Sequence, residues 1–244
     1  CRIIPDNHPV DSKKTRIQLM PTAPTAAILH VFAPRCRKSN LALPVNGRPA
    51  KLADMVTRGR LAGNGARMVH KIVCFGEEYL REKAQPVTAI TPEIRQLVED
   101  MLDTMRAARG VGLAAEQIGR SESVCVIDIP ESAEKPECVE FNAAIPMPLI
   151  MLNPELSDPQ GKQRDEEGCL SFPDISVPLT RANQITATYT DLEGTRHTIK
   201  AQGLLARAIQ HECDHLNGVL LVDKMSTMQR ISVAGQLRRL RQKS

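Results

Sequence analysis

The chain has 244 residues and a formal net charge of +4, with 42% hydrophobic, 25% charged and only 2% aromatic residues. These proportions are ordinary for a globular protein with an aliphatic core. No stretch approaches the roughly 20 consecutive apolar residues that a membrane-spanning helix needs, so we expect no membrane partner. The seven cysteines contain no Cys-x-x-Cys pair. This argues against a disulfide framework and favours free thiols, or one cysteine kept as a metal ligand.

Residues 1–67 differ in composition from the rest, because they contain no Glu and are rich in Pro, Arg and Thr. Residues 1–70 carry 12 Lys and Arg against three Asp, whereas residues 71–244 carry 20 against 25 Asp and Glu. A basic, acid-poor segment is typical of an organellar transit peptide, although a disordered tail or sequence upstream of the true start also fits. We expect residues 1–67 to be a disordered basic extension and residues 68–244 to be the functional domain. Without interleaved aromatics, the basic segment does not indicate sequence-specific nucleic-acid binding.

Hydrophobic periodicity after residue 68 predicts a mixture of helices and strands. Thr91 and Pro92 begin a predicted helix with an apolar stripe to Met105, and Gly110 ends it. The Gly-rich segment 110–119 follows a helix, so we interpret it as backbone passing close to a ligand and not as a nucleotide loop. Strands are predicted over 69–73, 123–129, 148–156 and 219–222, a polar loop over 130–146, a β-hairpin over 183–201 and a helix over 225–242. We therefore predict an α+β fold with antiparallel β-sheets packed around a central α-helix, and with a C-terminal helix.

The clearest chemical signal is residues 210–216, which contain His-Glu-x-x-His. On a helix, His211 and His215 project from the same face and can bind one metal ion. Glu212 lies beside the first histidine, where its carboxylate can take a proton from water at the metal. The alternative is an ordinary amphipathic helix with two incidental histidines. Apolar residues at helical spacing around the motif predict that it is the central helix.

A catalytic metal site of this kind needs a third protein ligand. A third histidine six residues after His215 is excluded because Leu221 occupies that position. A downstream Glu on another helix is excluded as well, since no Asp or Glu follows Asp223. The third ligand must therefore lie upstream. Cys169, in a compact non-helical segment, is the attractive choice, although a lone cysteine is more often a small buried side chain.

Three motifs occur in an order that resembles the peptide deformylases. They are Gly-Val-Gly-Leu-Ala-Ala-Glu-Gln at 110–117, Glu-Gly-Cys-Leu-Ser at 167–171 and Gln-His-Glu-Cys-Asp-His at 210–215. The resemblance implies removal of the N-formyl group from the initiator formyl-methionine of nascent polypeptides, so N-formyl-methionyl peptides are the expected partners. It makes residues 68–244 the expected catalytic domain. The expected location is the bacterial cytoplasm, or a plastid or mitochondrion if residues 1–67 are a transit peptide.

The resemblance also implies the metal site. Cys169, His211 and His215 would bind one divalent metal ion per chain, Fe²⁺ first and Zn²⁺ or Ni²⁺ as alternatives. A thiolate with two imidazoles suits these metals. Glu212 would act as general base and then as general acid.

The remaining implied roles concern the oxyanion and the substrate. The side-chain amide of Gln117 and the backbone N–H of Leu170 would stabilise the negative charge that develops on the formyl oxygen. Backbone around Gly112 would pair with the substrate peptide like an added strand. The methionine side chain would enter an apolar pocket whose walls include Val111, Leu170, Leu204 and Ala208.

Three further expectations concern residues beside these motifs. Glu167 is expected to form a salt bridge with Arg207. Glu116 stands where many members of the resembled family have Pro or Thr, and we expect its carboxylate near the mouth of the site, where it would disfavour acidic peptides. The basic helix over residues 229–243 is similar to the C-terminal helix with which bacterial-type members dock on the ribosome, although an ordinary solvated helix face explains it equally well.

Overall fold

The computed structural model describes residues 68–242, so the expected extension over residues 1–67 lies outside the described residues. The strands are β1 Gly112–Ala114, β2 Val124–Ile127, β3 Leu149–Gln160, β4 Gln163–Gly168, β5 Ser176–Arg181, β6 Gln184–Thr190 and β7 Arg196–Gln202. Five of them form an antiparallel sheet in the order β1–β2–β3–β6–β7, and β4 pairs with β5 in a separate antiparallel hairpin.

The helices in this part of the chain are α1 Pro92–Ala107, α2 Pro136–Asn142, α3 Gly203–Leu216, α4 Leu221–Lys224, α5 Thr227–Ser232 and α6 Ala234–Arg241. Helix α3 lies against all five strands of the main sheet, which confirms the predicted α+β fold with a central helix. None of the helices in residues 68–242 is long and apolar enough to cross a membrane.

The main sheet is covered on both faces because alternate residues of each strand point to opposite sides. On β2, Cys125 and Ile127 belong to the apolar cluster that contains α3, whereas Val124 and Val126 belong to the cluster that contains α1. All four side chains are fully buried. The two-sided burial explains why β2 is a continuous apolar run and not an alternating one.

Helix α1 follows the prediction at its start and differs at its end. Pro92 occupies the first turn, although the Thr91 side chain makes no capping hydrogen bond. The helix ends at Ala107, before the predicted stop at Gly110, and Arg109 takes a left-handed conformation with φ of 56°. The helix is closed by the Gly110 N–H, which donates to the Met105 carbonyl at 2.9 Å.

The entry into α3 fixes where the metal-binding motif lies. Gly203 has φ of 65°, and a Cβ at this position would lie 2.4 Å from Cys138 Sγ, so the turn from β7 into α3 requires glycine. The Glu134 carboxylate accepts hydrogen bonds from the Leu204 N–H at 3.2 Å and the Leu205 N–H at 2.7 Å. It thereby satisfies two backbone donors of the first turn from outside the helix.

Two predicted elements near the C-terminus are wrong. Residues 219–222 were expected to be a strand, but Leu221–Lys224 forms one turn of helix because the Asp223 carboxylate accepts the Leu220 N–H at 2.8 Å. The predicted helix 225–242 is two helices separated at Val233. The Ser232 hydroxyl donates to the Gln229 carbonyl at 2.7 Å, a local bond that competes with continued helix.

Two further segments differ from the prediction. Residues 69–73 form no strand. The segment is held by isolated backbone hydrogen bonds, such as the one from the Val73 N–H to the Gln117 carbonyl at 2.8 Å. The predicted polar loop over 130–146 contains α2, which Pro136 and Glu137 begin with favourable first-turn residues. The β-hairpin expected over 183–201 is confirmed as β6 and β7.

Candidate active site

Three potential metal ligands converge from two separate elements. His211 and His215 lie on α3, and Cys169 follows directly after the last residue of β4. All three are buried, and their ligand atoms lie within 4.8 Å of one another. Cys169 Sγ is 3.2 Å from His215 Nε2, and His211 Nε2 has no hydrogen-bond partner in the described part of the chain. One thiol and two imidazoles with an unsatisfied nitrogen among them fit a divalent metal ion such as Fe²⁺ or Zn²⁺.

Glu167 organises the shell behind these ligands. Its Oε1 accepts from His211 Nδ1 at 2.7 Å and from Arg181 Nη2 at 2.6 Å. Its Oε2 accepts from Arg181 Nε at 2.9 Å and from Arg207 Nη1 at 2.9 Å, which places the expected Glu167–Arg207 salt bridge in the structure. A carboxylate on Nδ1 leaves His211 Nε2 as the nitrogen available for a metal.

The buried charges at the site shift one another's pKa values. Burial raises the pKa of the Cys169 thiol, but the neighbouring His215 and His211 outweigh it and hold the pKa well below its usual value. Burial alone would lower the pKa of His211, whereas Cys169 and Glu167 raise it to about 9. Burial opposes ionisation of Glu167, yet the hydrogen bonds from Arg181 and His211 hold its pKa far below the usual value. A ready thiolate and a firmly ionised Glu167 both suit metal binding.

Gln117 lies beside the ligand cluster. Its Oε1 accepts the Ala114 N–H at 3.0 Å, so the amide group is held with its nitrogen directed at Ser171 Oγ, 3.1 Å away, and Cys169 Sγ, 3.5 Å away. The residue is fully buried. This geometry presents an N–H donor next to the candidate metal position, as a group that stabilises an oxyanion requires.

Glu212 is adjacent to β1. A Cβ placed on Gly112 would lie 2.2 Å from Glu212 Oε1 and 2.9 Å from its Cδ. Any side chain at this position would therefore displace the carboxylate. The first sequence motif and the α3 motif meet here, which explains why the strand needs glycine opposite the candidate proton carrier.

The expected pocket residues fall into two groups. Val111 and Ala208 are buried in the apolar cluster that contains α3, and half-buried Leu204 packs against the same cluster. Leu170 packs instead against the cluster that contains α1, so its side chain lies apart from the other three. Val111, Leu204 and Ala208 thus share one apolar cluster with α3.

The expectation for Glu116 is wrong. The residue is 1% exposed, so its carboxylate cannot stand at the mouth of the site and cannot meet a peptide there. It was misplaced because a charged residue next to a ligand-binding motif was expected to be solvated.

Arg181 and Asp214 also belong to the site, and neither was predicted from the sequence. Arg181 Nη1 contacts Asp214 Oδ2 at 2.6 Å, and Lys224 Nζ contacts Asp214 Oδ1 at 3.1 Å, which extends the Glu167 network to the surface. The signal was present on β5, where Val177, Leu179 and Arg181 are the buried alternate residues. An arginine in a buried register needs a buried carboxylate, which points to Glu167.

Comparison with known proteins agrees with this arrangement. A family model described as polypeptide deformylase matches residues 69–231. The chain belongs to the polypeptide deformylase family. It is therefore an enzyme, a metal-dependent hydrolase of protein biosynthesis that removes the N-formyl group from nascent polypeptides.

Individual relatives show how completely the deformylase fold is present. A peptide deformylase from Nitrosococcus oceani is 45% identical over 159 residues, covering 65% of this chain and 88% of the relative. The crystal structure of a peptide deformylase from Legionella pneumophila is similar with a TM-score of 0.62 and 37% identity, over 71% of this chain and 96% of that one. The structure from Ehrlichia chaffeensis in complex with actinonin gives a TM-score of 0.64 and 35% identity, over 72% and 98%. Nearly the whole length of each deformylase relative is matched.

Proposed function

We propose that Cys169, His211 and His215 hold one divalent metal ion, Fe²⁺ first and Zn²⁺ or Ni²⁺ as alternatives, and that deformylation takes place beside it. The observation that carries the proposal is the convergence of these three buried ligand atoms within 4.8 Å. The thiolate makes the donor set softer than one built on a carboxylate, which suits these metals. A divalent metal held there supplies Lewis acidity that activates water and polarises the formyl carbonyl.

Glu212 moves the proton in this proposal. As general base it takes a proton from the attacking water, and as general acid it gives that proton to the nitrogen of the leaving amine. The formyl C–N bond breaks as water adds to the carbon, which gives formic acid and the methionine amino group; the acid then ionises to formate and its proton is taken up by the amine. The close approach of Gly112 to Glu212 Oε1 supports this role, because it fixes the carboxylate beside the strand expected to bind substrate.

Gln117 and Leu170 stabilise the negative charge on the formyl oxygen. The Gln117 amide is held by the Ala114 N–H, so its nitrogen needs no reorganisation when charge develops. The backbone N–H of Leu170 follows directly after the ligand Cys169. Together these two donors act on the oxygen while Glu212 acts on the water and the amine.

The substrate peptide binds along β1. Among residues 68–242 this strand lies at the edge of the main sheet and pairs with β2. Val111 and Gly112 are therefore placed where a peptide can add as a further strand. The methionine side chain then enters the apolar region formed by Val111, Leu204 and Ala208. The catalytic domain in this proposal is residues 68–244. It acts in the bacterial cytoplasm or, if residues 1–67 are a transit peptide, in an organelle.

Cobalt substitution tests the ligand set. The protein loaded with Co²⁺ should show the intense charge-transfer absorption of a thiolate–cobalt bond, and Cys169→Ser should remove it. Cys213→Ser is the matched control, because Cys213 is buried on α3 between the two histidines and burial raises the pKa of its thiol to about 12. Retention of the band in Cys169→Ser, or its loss in Cys213→Ser, would show that the ligand set is wrong.

The basic C-terminal helix docks the enzyme on the ribosome in our proposal. Arg238, Arg239 and Arg241 of α6 are exposed, and no acidic residue follows Asp223. Phosphate-rich RNA attracts such a surface in a salt-dependent way. The double variant Arg238→Glu, Arg239→Glu should therefore co-sediment less with ribosomes. The control double variant Lys162→Glu, Lys200→Glu should co-sediment as the parent does. An equal loss of co-sedimentation in both would indicate non-specific charge attraction.

A further inference from the structure

Glu116 is a buried acid that the deformylation steps do not use. It lies in the short 3₁₀ helix Ala115–Ile118, directly before Gln117. The residue is 1% exposed, and neither carboxylate oxygen has a hydrogen-bond partner among residues 68–242. A carboxylate is strongly disfavoured in such a place, since it loses water and gains nothing in return. An unsatisfied acid beside a residue of the site calls for a functional explanation.

The surroundings of Glu116 supply no positive charge to compensate it. The titratable groups that act on it, or on which it acts, come from the neighbouring elements: Glu212 on α3, Glu122 before β2, Cys125 on β2 and Tyr79 in the 3₁₀ helix Glu78–Arg81. Two of these are acids, and the cation nearest to Glu122 in sequence, Arg120, is already paired with Glu122. The groups that act on Glu116 therefore include no cation that would stabilise its ionised form.

This environment decides the protonation state of Glu116. Burial is the largest influence and raises the pKa to about 8, with Glu212 and Glu122 adding to it and the residue's own backbone amide opposing it. Below that pH the carboxyl group is neutral and can remain inside. Above it, the charge must find water, and the buried position offers none.

We propose that Glu116 is a pH-operated switch on the segment that carries Gln117: uncharged, it stays buried and keeps Gln117 in place, and once ionised, it pulls the 3₁₀ helix Ala115–Ile118 open. The four residues of this segment are buried, and backbone and side-chain hydrogen bonds hold it in place. The Val73 N–H donates to the Gln117 carbonyl at 2.8 Å, the Ala114 N–H to Gln117 Oε1 at 3.0 Å, and the Gly119 N–H to the Glu116 carbonyl at 3.0 Å. Opening the segment breaks these bonds and hydrates the carboxylate, and it moves the Gln117 amide away from Cys169.

Hydrogen exchange tests the switch without relying on catalysis. The amides of Val73, Ala114 and Gly119 would be followed in the full chain and in Glu116→Gln, compared at the same pH so that intrinsic exchange cancels. We expect equal protection near pH 6 and, above about pH 9, exchange roughly tenfold faster in the parent than in the variant. Equal protection at both pH values would overturn the proposal.

Stability provides a second measurement with a definite sign. Because the pKa is raised from 4.5 to about 8 on folding, the folded state holds the extra proton between those values. The stability of the parent relative to Glu116→Gln should therefore fall as pH rises from 4.5 to about 8 and then stay level. Glu122→Gln is the control, because Glu122 is paired and its pKa is lowered. If Glu116→Gln folds poorly, Glu116→Thr takes its place; a pH-independent difference would contradict the switch.

An activity profile connects the switch to catalysis, and this arm alone rests on the proposed function. The parent should lose kcat/KM around pH 8, with Glu116→Gln losing less at that pH. If exchange responds to Glu116 but the two activity profiles coincide, the link to Gln117 is wrong. If neither protein turns over a formyl-peptide while exchange still responds, the proposed function fails and the switch stands.

Discussion

Glu167 is the single side chain on which most of the buried charge at the site depends. It accepts hydrogen bonds from Arg181, Arg207 and His211, and its carboxylate is fully buried. Such a set is stable only when complete, because removing one member leaves the others buried and unpaired. The outer carboxylate also orients the metal-binding histidine, so it contributes to both stability and metal affinity.

Replacing Glu167 by Gln should weaken both properties. The amide cannot satisfy two guanidinium groups and an imidazole, so we expect metal affinity to fall roughly 10–100-fold. The free energy of unfolding should fall by about 3–5 kcal/mol. Chelator competition and urea unfolding measure the two effects. Glu166→Gln is the matched control, because the Glu166 carboxylate is exposed and accepts the Ser176 hydroxyl at 2.8 Å. Parental metal affinity in Glu167→Gln would contradict the account.

Gly112→Ala should separate catalysis from metal binding. The added Cβ would lie 2.2 Å from Glu212 Oε1, so the carboxylate must move although no metal ligand does. We expect kcat/KM to fall roughly 100-fold with metal content unchanged. Gly235→Ala is the control, since a Cβ on α6 meets nothing within 4 Å. A Gly112→Ala enzyme with parental kcat/KM would show that Glu212 is not held where we place it.

At the scale of elements, α3 depends on a carboxylate from outside the helix. Glu134→Ala removes the acceptor for the Leu204 and Leu205 N–H groups. We expect a loss of about 1 kcal/mol in the free energy of unfolding, which corresponds to roughly 2–4 °C in melting temperature. Glu131→Ala, an exposed position in the adjacent 3₁₀ turn, should change little. Equal melting temperatures for parent and Glu134→Ala would indicate that water replaces the cap.

Helices α3 and α4 show which secondary structure could be predicted from the sequence and which could not. Helix α3 was predicted because its apolar period is long and His211 and His215 recur at a spacing that only a helix brings together. Helix α4 was predicted to be a strand because four apolar residues look alike in either state. The deciding contact, between Asp223 and the Leu220 N–H, is a local capping bond that the apolar pattern does not reveal.

The same limit applies to the charged residues. The Glu167–Arg207 pair was expected, and the structure contains it. Arg181 was missed because its partner is 14 residues away and pairing depends on the β4–β5 register, in which Gln163 faces Arg181. The position of Glu116 was predicted wrongly because α3, β1 and the 3₁₀ helix Glu78–Arg81 pack around its segment and bury it, which local sequence does not encode.

At the scale of the whole molecule, the segment before α1 is fastened to the site. The Val73 N–H bonds the Gln117 carbonyl at 2.8 Å, and the Phe75 N–H bonds the Ser171 carbonyl at 2.9 Å. The Phe75 ring stacks on Phe172 at 4.8 Å between centroids. The backbone of two active-site motifs is thus supported by residues that lie just after the expected start of the catalytic domain.

Two truncations test this boundary. A chain that begins at Met68 should keep parental kcat/KM and metal content, whereas one that begins at Gly76 should lose both. Removing the Phe75 packing alone is expected to cost about 3–5 kcal/mol, and Phe75→Ala in the full chain isolates that part. Full activity in the shorter chain would show that the segment is dispensable.

The central claim is that Glu212 carries the proton in a deformylation supported by Cys169, His211 and His215. Formate release from formyl-Met-Ala-Ser by anaerobically prepared Fe²⁺ enzyme, beside Glu212→Gln with equal metal content, tests it most directly. We predict turnover by the parent and a kcat/KM lower by roughly 10²–10⁴ in the variant. Equal turnover by the two proteins, or none by either, would contradict the account.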